Sequence, residues 1–160
     1  MNNIQFPIIG YIHSPFKELG NIPVQPVYGK GIEGMVEILD EYTSGLKDLE
    51  GFNYIYLIFF LHKVKHTKLQ VIPFWDNQIR GIFSTRAPSR PSHIGLSLVE
   101  LLKIESNRLY IRDIDILDGT PLLDIKPFIP RIDTRENATS GWLKATDEEI
   151  SRKLSDNRFD

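Results

Sequence analysis

Apolar and polar residues alternate along most of this 160-residue chain, with the period of two that marks half-buried strands. Residues 7–16, PIIGYIHSPF, begin as a short strand that stops at Ser14-Pro15, since proline cannot donate to a ladder. In 34–42 the alternation sets Val36 and Ile38 on one face. The period breaks in 40–52, DEYTSGLKDLEGF, where Leu46 and Leu49 predict one or two helical turns facing inward and ending near Gly51. The segment 52–64, FNYIYLIFFLHKV, is apolar almost throughout and rich in β-branched and aromatic side chains, which predicts a central strand covered on both faces.

Strands are expected next over 79–85 and 93–106. In 108–118, RLYIRDIDILD, the apolar positions change phase between Ile111 and Ile114, as a β-bulge at Arg112-Asp113 would produce. Asp118-Gly119 is a hairpin-turn signal, and 120–130 returns as a strand broken by Pro127 and Pro130. Thr146 followed by Glu149 forms a capping box that opens a short helix over about 146–155, with Ile150 and Leu154 as its apolar stripe. Many short strands with only small helices predict a mostly-β fold, a curled sheet or barrel, in a single domain spanning 1–160.

Composition adds limits. With 41% hydrophobic and 25% charged residues the chain is an ordinary globular one. Its longest apolar run, 54–61, is too short to span a bilayer, and its start lacks a basic-then-apolar leader. The absence of cysteine excludes disulfides and thiolate metal sites and suits a reducing cytoplasm, the expected location. A net charge of −2 argues against indiscriminate coating of nucleic acid. The charge is polarised, however: Lys63, Lys65, Lys68, Arg80, Arg86 and Arg90 face only Asp76 between positions 62 and 90. That stretch could present a cationic face to phosphates, or be two ordinary solvated loops.

Candidate chemistry is sparse. No strand is followed by a glycine-rich phosphate loop, which argues against a Rossmann-type cofactor site. His62 and His66 would lie roughly 13 Å apart on an extended segment, too far to share a metal, and no metal is expected. His13 and His93 border proline loops and read as hydrogen-bonding loop residues. Asp113, Asp115, Asp118 and Asp124 cluster in sequence, either as turn and surface residues or with one accepting hydrogen bonds from a ribose or amine.

Four stretches carry a resemblance. They are GYIHSPF at 10–16, LEGFNYIYLIFFLH at 49–62, GIFSTRAPSRPSHIGLSLVELL at 81–102 and DILDGTPLLDIKPFIP at 115–130. In this order, over about 8–133, they resemble the TrmO-type (TsaA-like) methyltransferases, which methylate threonylcarbamoyl-adenosine beside the anticodon of tRNA. The resemblance implies a non-Rossmann β-barrel, a homodimer, S-adenosylmethionine as cofactor near the subunit interface, and tRNA as substrate. Carried over by position, Ser14, Pro15, Phe16, Asn53, Tyr54, Arg86, Leu96, Ile116, Leu117, Asp118 and Gly119 are expected to line the cofactor pocket. Arg86 is the candidate catalytic residue, its planar fork suited to the threonyl carboxylate of the modified base, with Arg90 beside it at the mouth of the site.

The chain departs from the family pattern at Ala87, Ser89, Ser92 and His93, and in the segment 71–81, which lacks the usual arginine and paired glycines. Trp75 there could offer a stacking face or belong to the core. Two other readings fit the same residues: a methyltransferase with a small-molecule acceptor, and a dimeric barrel that binds cofactor or RNA without transferring a methyl group.

Overall fold

The structure, a computed structural model, describes residues 4–20, 22–24 and 30–156. Eight strands are present among them: β1 Gly10–His13, β2 Glu33–Ile38, β3 Tyr54–Phe60, β4 Gln70–Val71, β5 Arg80–Gly81, β6 Ile94–Glu105, β7 Arg108–Arg112 and β8 Thr120–Pro127. Six of them close into an antiparallel barrel in the order β1-β2-β7-β6-β3-β8, while β4 and β5 form a separate ribbon. Closure removes the exposed edges that an open sheet would have to protect. The twelve-residue β6 makes this possible, pairing with β3 through Ile94–Glu100 and with β7 through Glu100–Glu105.

The expected alternation fills the interior. Ile12, Val36, Ile38, Ile55, Leu57, Val99, Leu109, Ile111 and Leu122 are all sealed from solvent, each burial contributing about 1.5–3 kcal/mol. Leu46 and Leu49 sit on 3-10 turns at Asp40–Leu46 and Leu49–Gly51 and pack against this core, as the sequence predicts.

Several expectations are corrected. The strand through 54–60 is covered on one face only: Ile55, Leu57 and Phe59 point inward while Tyr54 and Phe60 are exposed, because a small barrel has one dry side. The expected strand at 79–85 is strand only at Arg80–Gly81. A 3-10 turn follows at Ile82–Ser84, held by the Ser84 and Thr85 hydroxyls, which donate to the carbonyls of Gly81 and Ile82. That turn drives Ile82 into a small cluster with Val71 and Ala87.

The phase change after Ile111 is not a bulge. β7 ends at Arg112, Asp113 adopts a left-handed φ of 65°, and its Oδ1 accepts from the Gly31 amide at 2.8 Å. Residues 113–118 then leave the ladder and carry Ile114 and Ile116 into the barrel. Asp118-Gly119 does turn the chain, but β7 and β8 are not neighbours, so it is not a hairpin.

Two short helices complete the chain, α1 Pro130–Asp133 and α2 Asp147–Ser151. The capping box at Thr146 and Glu149 is present, but α2 stops at Ser151, and Leu154 bridges instead to Pro23. No helix among the described residues is long and apolar enough to cross a membrane.

Candidate functional site at the barrel mouth

One end of the barrel opens into a cleft of about 960 Å³. Its floor is made by inward residues at the ends of β3 and β6 together with the segment that enters the barrel: Phe59, Gly95, Ser97, Asp115, Ile116 and Leu117. Gly95 is required here. It lies opposite Phe59 in the β3–β6 ladder, and a Cβ at this position would sit 2.2 Å from the Phe59 ring. Its absence leaves room for the Phe59 ring against the β6 backbone.

The loop 85–91 forms one wall, and Arg90 organises it. The Arg90 Nη1 donates to the carbonyls of Thr85 at 2.8 Å, Ile82 at 3.2 Å and Ala87 at 3.5 Å. Through Nη1, Arg90 therefore braces the loop against the turn that precedes it, while its side chain still borders the cleft. Arg80 is likewise engaged, with Asp76 at 2.7 Å and over the Trp142 ring at 5.6 Å. The cationic face expected from 62–90 reduces to Lys63, Lys65, Lys68 and Arg86, all exposed. Ser89 is fully buried beneath the loop, so that departure from the family pattern changes packing under the site rather than its surface.

A second wall comes from the C-terminal segment. The Trp142 indole donates to the Ser84 carbonyl at 2.7 Å, and the Trp75 indole to the Glu149 carbonyl at 3.2 Å. Trp75 is thus tied to α2 and borders the cleft, outside the barrel core. Thr139, Trp142, Leu143 and Ile150 line this side.

Of the residues expected to bind cofactor, Arg86, Leu96, Ile116 and Leu117 line the cleft. Ser14, Pro15 and Phe16 are stitched to 116–119 just behind it: the Ser14 hydroxyl donates to the Ile116 carbonyl at 2.6 Å, and the Asp118 amide to the Phe16 carbonyl at 2.8 Å. Gly119, at a φ of 73°, closes the turn and donates to the Ile12 carbonyl. The Asp118 carboxylate accepts from the Ser14 amide at 3.0 Å and pairs with Lys17 Nζ at 2.6 Å. The lysine first, and then that amide, hold Asp118 below the usual carboxylate range. Asn53 and Tyr54 lie elsewhere: Tyr54 is five residues before Phe59 on β3, about 17 Å away within one chain.

Position-by-position reading missed three contributors. His62 and Lys63, directly after β3, line the cleft, and burial followed by the Lys63 charge pushes the His62 imidazole below its ordinary value. The third is Asp115, taken in the sequence only as one of four clustered acids. Its carboxyl accepts from the Ser97 hydroxyl at 2.7 Å, and burial pushes it up to about 7. The Ser97 hydrogen bond and the Arg86 charge act in the opposite sense and limit the rise. The signal was faint: Ser97 is a polar residue in an inward position of an otherwise apolar strand.

A closed antiparallel barrel whose mouth gathers an apolar floor, a braced arginine loop and a buried carboxyl defines a ligand-binding barrel without the dinucleotide loop. Residues 11–134 match the tRNA-methyltransferase O N-terminal domain, and the chain belongs to that family. A Pyrococcus abyssi protein named as a probable S-adenosyl-L-methionine-binding protein is 49% identical over 151 residues, covering 94% of this chain and 82% of that protein. The Escherichia coli tRNA (adenine(37)-N6)-methyltransferase is 32% identical over 155 residues, covering 91% of this chain and 66% of the enzyme. The crystal structure of TrmO from Pseudomonas aeruginosa superposes with a TM-score of 0.73 at 37% identity, covering 89% of this chain. This chain spans 63% of the length of that structure.

Proposed function

We propose that this protein is an S-adenosylmethionine-dependent N-methyltransferase acting on modified adenosine beside the anticodon of tRNA. The observation that carries the reading is the cleft at the barrel mouth in a chain of this family. The donor set fits the cofactor: Phe59, Leu61, Leu96 and Leu117 are apolar surfaces for an adenosyl group, and Arg86 is a fork for a carboxylate. The cofactor supplies an electrophilic methyl group, and the chain supplies alignment and exclusion of water. Alignment alone contributes up to roughly 7–11 kcal/mol in well-oriented displacements. Arg90 serves it by fixing the loop that carries Arg86.

A homodimer is part of the reading. The outer faces of β3 and β6 pair Ile58 with Leu96 and Tyr56 with Leu98, next to the exposed Phe60, an apolar stripe that runs up to the cleft. A second copy on this stripe would shield it and bring a second surface to the cofactor, with Asn53 and Tyr54 near the same face. On this reading the chain is one TsaA-like domain working in the cytoplasm with its RNA, in keeping with the absence of cysteine.

The test is calorimetric titration with S-adenosylmethionine, alongside Arg86→Ala, followed by transfer of labelled methyl to tRNA at rising salt. Saturable binding weakened in the variant, and RNA affinity falling with a log–log salt slope of about −3 to −4 for the four exposed cations, support the reading. A folded protein that binds no cofactor at millimolar concentration overturns it. Transfer indifferent to salt shifts the acceptor to a small molecule.

A further inference from the structure

We propose that Asp115 is the general base of the transfer, receiving the proton that the acceptor nitrogen loses as it is methylated. The proposal rests on the methyltransferase reading above and names the group that this reading leaves open.

The geometry carries it. Asp115 lies on the segment that leaves β7 and re-enters the barrel, between Ile114 and Ile116, both almost wholly buried. This backbone aims its carboxyl at the cleft floor, beside Ser97 and Leu117. The Ser97 hydroxyl donates to one oxygen at 2.7 Å and the residue's own backbone amide also donates to the carboxyl, so its orientation at the cleft floor is set from two sides. A serine on an inward position of β6 stands out, since the next two residues on that face, Val99 and Leu101, are core.

The surrounding charges are few. Arg86, on the opposing loop, is the cation whose field reaches Asp115. His62 and Lys63 from the segment after β3, Arg90 from the loop and Asp156 from the C-terminal segment share the cleft. Burial holds the carboxyl near neutrality, the range in which a base both exists ionised and takes up a proton readily. His62 is the rival group in the same cleft; its ring is held by the Phe60 carbonyl, and burial and the Lys63 charge lower its proton affinity. A base must be oriented as well as basic.

The step balances. The acceptor N–H proton passes to the Asp115 carboxylate as the nitrogen lone pair forms the N–CH3 bond. The electron pair of the breaking S–CH3 bond stays on sulfur and discharges the sulfonium. No oxidant or further reactant is needed.

The experiment uses the full chain. Carboxyl-carbon NMR of the ligand-free protein, with Asp115→Asn for assignment, should show one aspartate titrating near pH 7. Single-turnover methyl transfer to tRNA is then measured against pH for wild type, Asp115→Asn, Ser97→Ala and His62→Ala, with cofactor affinity by calorimetry. Asp115→Asn should bind cofactor within about threefold of wild type yet transfer at least about 100-fold more slowly, without the acid limb of the profile. Ser97→Ala, which removes a hydrogen bond that favours the ionised form, should move that limb to higher pH. The proposal is overturned if Asp115→Asn transfers at the wild-type rate, if its loss is only of cofactor affinity, or if His62→Ala alone removes the acid limb. Wild-type protein that transfers no methyl group sinks the methyltransferase reading together with the base. Active wild type with an equally active Asp115→Asn sinks the base alone.

Discussion

Removing the charge from Asp115 should make the protein more stable, and the gain should depend on pH. Burial raises this carboxyl from 3.8 to about 7, so the folded state holds a proton that the unfolded chain releases. The stability this contributes is fully present below pH 3.8 and is lost as pH rises through 7. Its slope is at most about 1.4 kcal/mol per pH unit, which accumulates to about 4 kcal/mol by pH 8. Asp115 is only partly covered by area, and its mouth position lets water screen the charge, so about half of that, roughly 2 kcal/mol, is the realistic figure.

Asp115→Asn has the same shape, still accepts from Ser97, and never ionises. It should melt about 4–8 °C above wild type at pH 8, taking 2–4 °C per kcal/mol for a chain of this length, and the gap should narrow steadily toward pH 4. Paired thermal melts by circular dichroism at pH 4, 5, 6, 7 and 8 measure it. Equal melting temperatures across the range, or a variant less stable at pH 8, would refute the claim that the carboxyl is desolvated. The measurement needs no cofactor and no substrate. It tests the electrostatic premise of the base separately from the chemistry, and a stabilised but inactive variant is the signature of a group kept at an energetic cost for function.

Two further predictions concern the walls. Arg90→Ala should lower stability by about 2–4 kcal/mol, because the guanidinium satisfies the Thr85 and Ile82 carbonyls with charged hydrogen bonds, and should weaken cofactor binding by loosening Arg86; unchanged melting and unchanged calorimetric affinity would show that the loop holds itself. Gly95→Ala should cost about 1–3 kcal/mol and reduce cofactor affinity by moving the Phe59 ring off the floor, and Phe59→Leu in the same chain should restore much of both; a variant that melts and binds like wild type would mean the ring is not held against β6.

The barrel was legible because alternation is a local signal. Ile55, Leu57 and Phe59, or Val99 and Leu101, announce their inward face from spacing alone, and capping at Thr146 is a contact of four consecutive residues. What failed was non-local. The turn at Asp113 depends on the Gly31 amide, 82 positions away, so its phase change could equally have been a bulge. The 54–60 strand looked doubly covered because its outer stripe is apolar too, and whether an apolar stripe meets core or a second copy is not written in its period. The site divided along the same line. The resemblance brought in Ser14 to Phe16 and Ile116 to Gly119, which the structure does stitch together, but it gave no sign that Arg90 at the cleft also braces the Ile82, Thr85 and Ala87 carbonyls.

That division explains how the chemistry is built. A barrel of this size has its interior filled by aliphatic side chains and offers no cavity of its own. The cleft exists because three excursions, 61–64, 85–91 and 139–156, rise around one mouth, and because 113–118 abandons the ladder to carry a carboxyl to its floor. Two of these excursions are pinned by side-chain hydrogen bonds to backbone carbonyls, 85–91 by Arg90 to Thr85 and 139–156 by Trp142 to Ser84 and Trp75 to Glu149. Such bonds tolerate wide variation in the residues whose carbonyls they use, since any residue supplies one. The walls can therefore accept substitution, as at the Ala87 and Ser89 departures, while the floor depends on particular side chains: no Cβ at Gly95 beside the Phe59 ring, and the Ser97 hydroxyl on the Asp115 carboxyl.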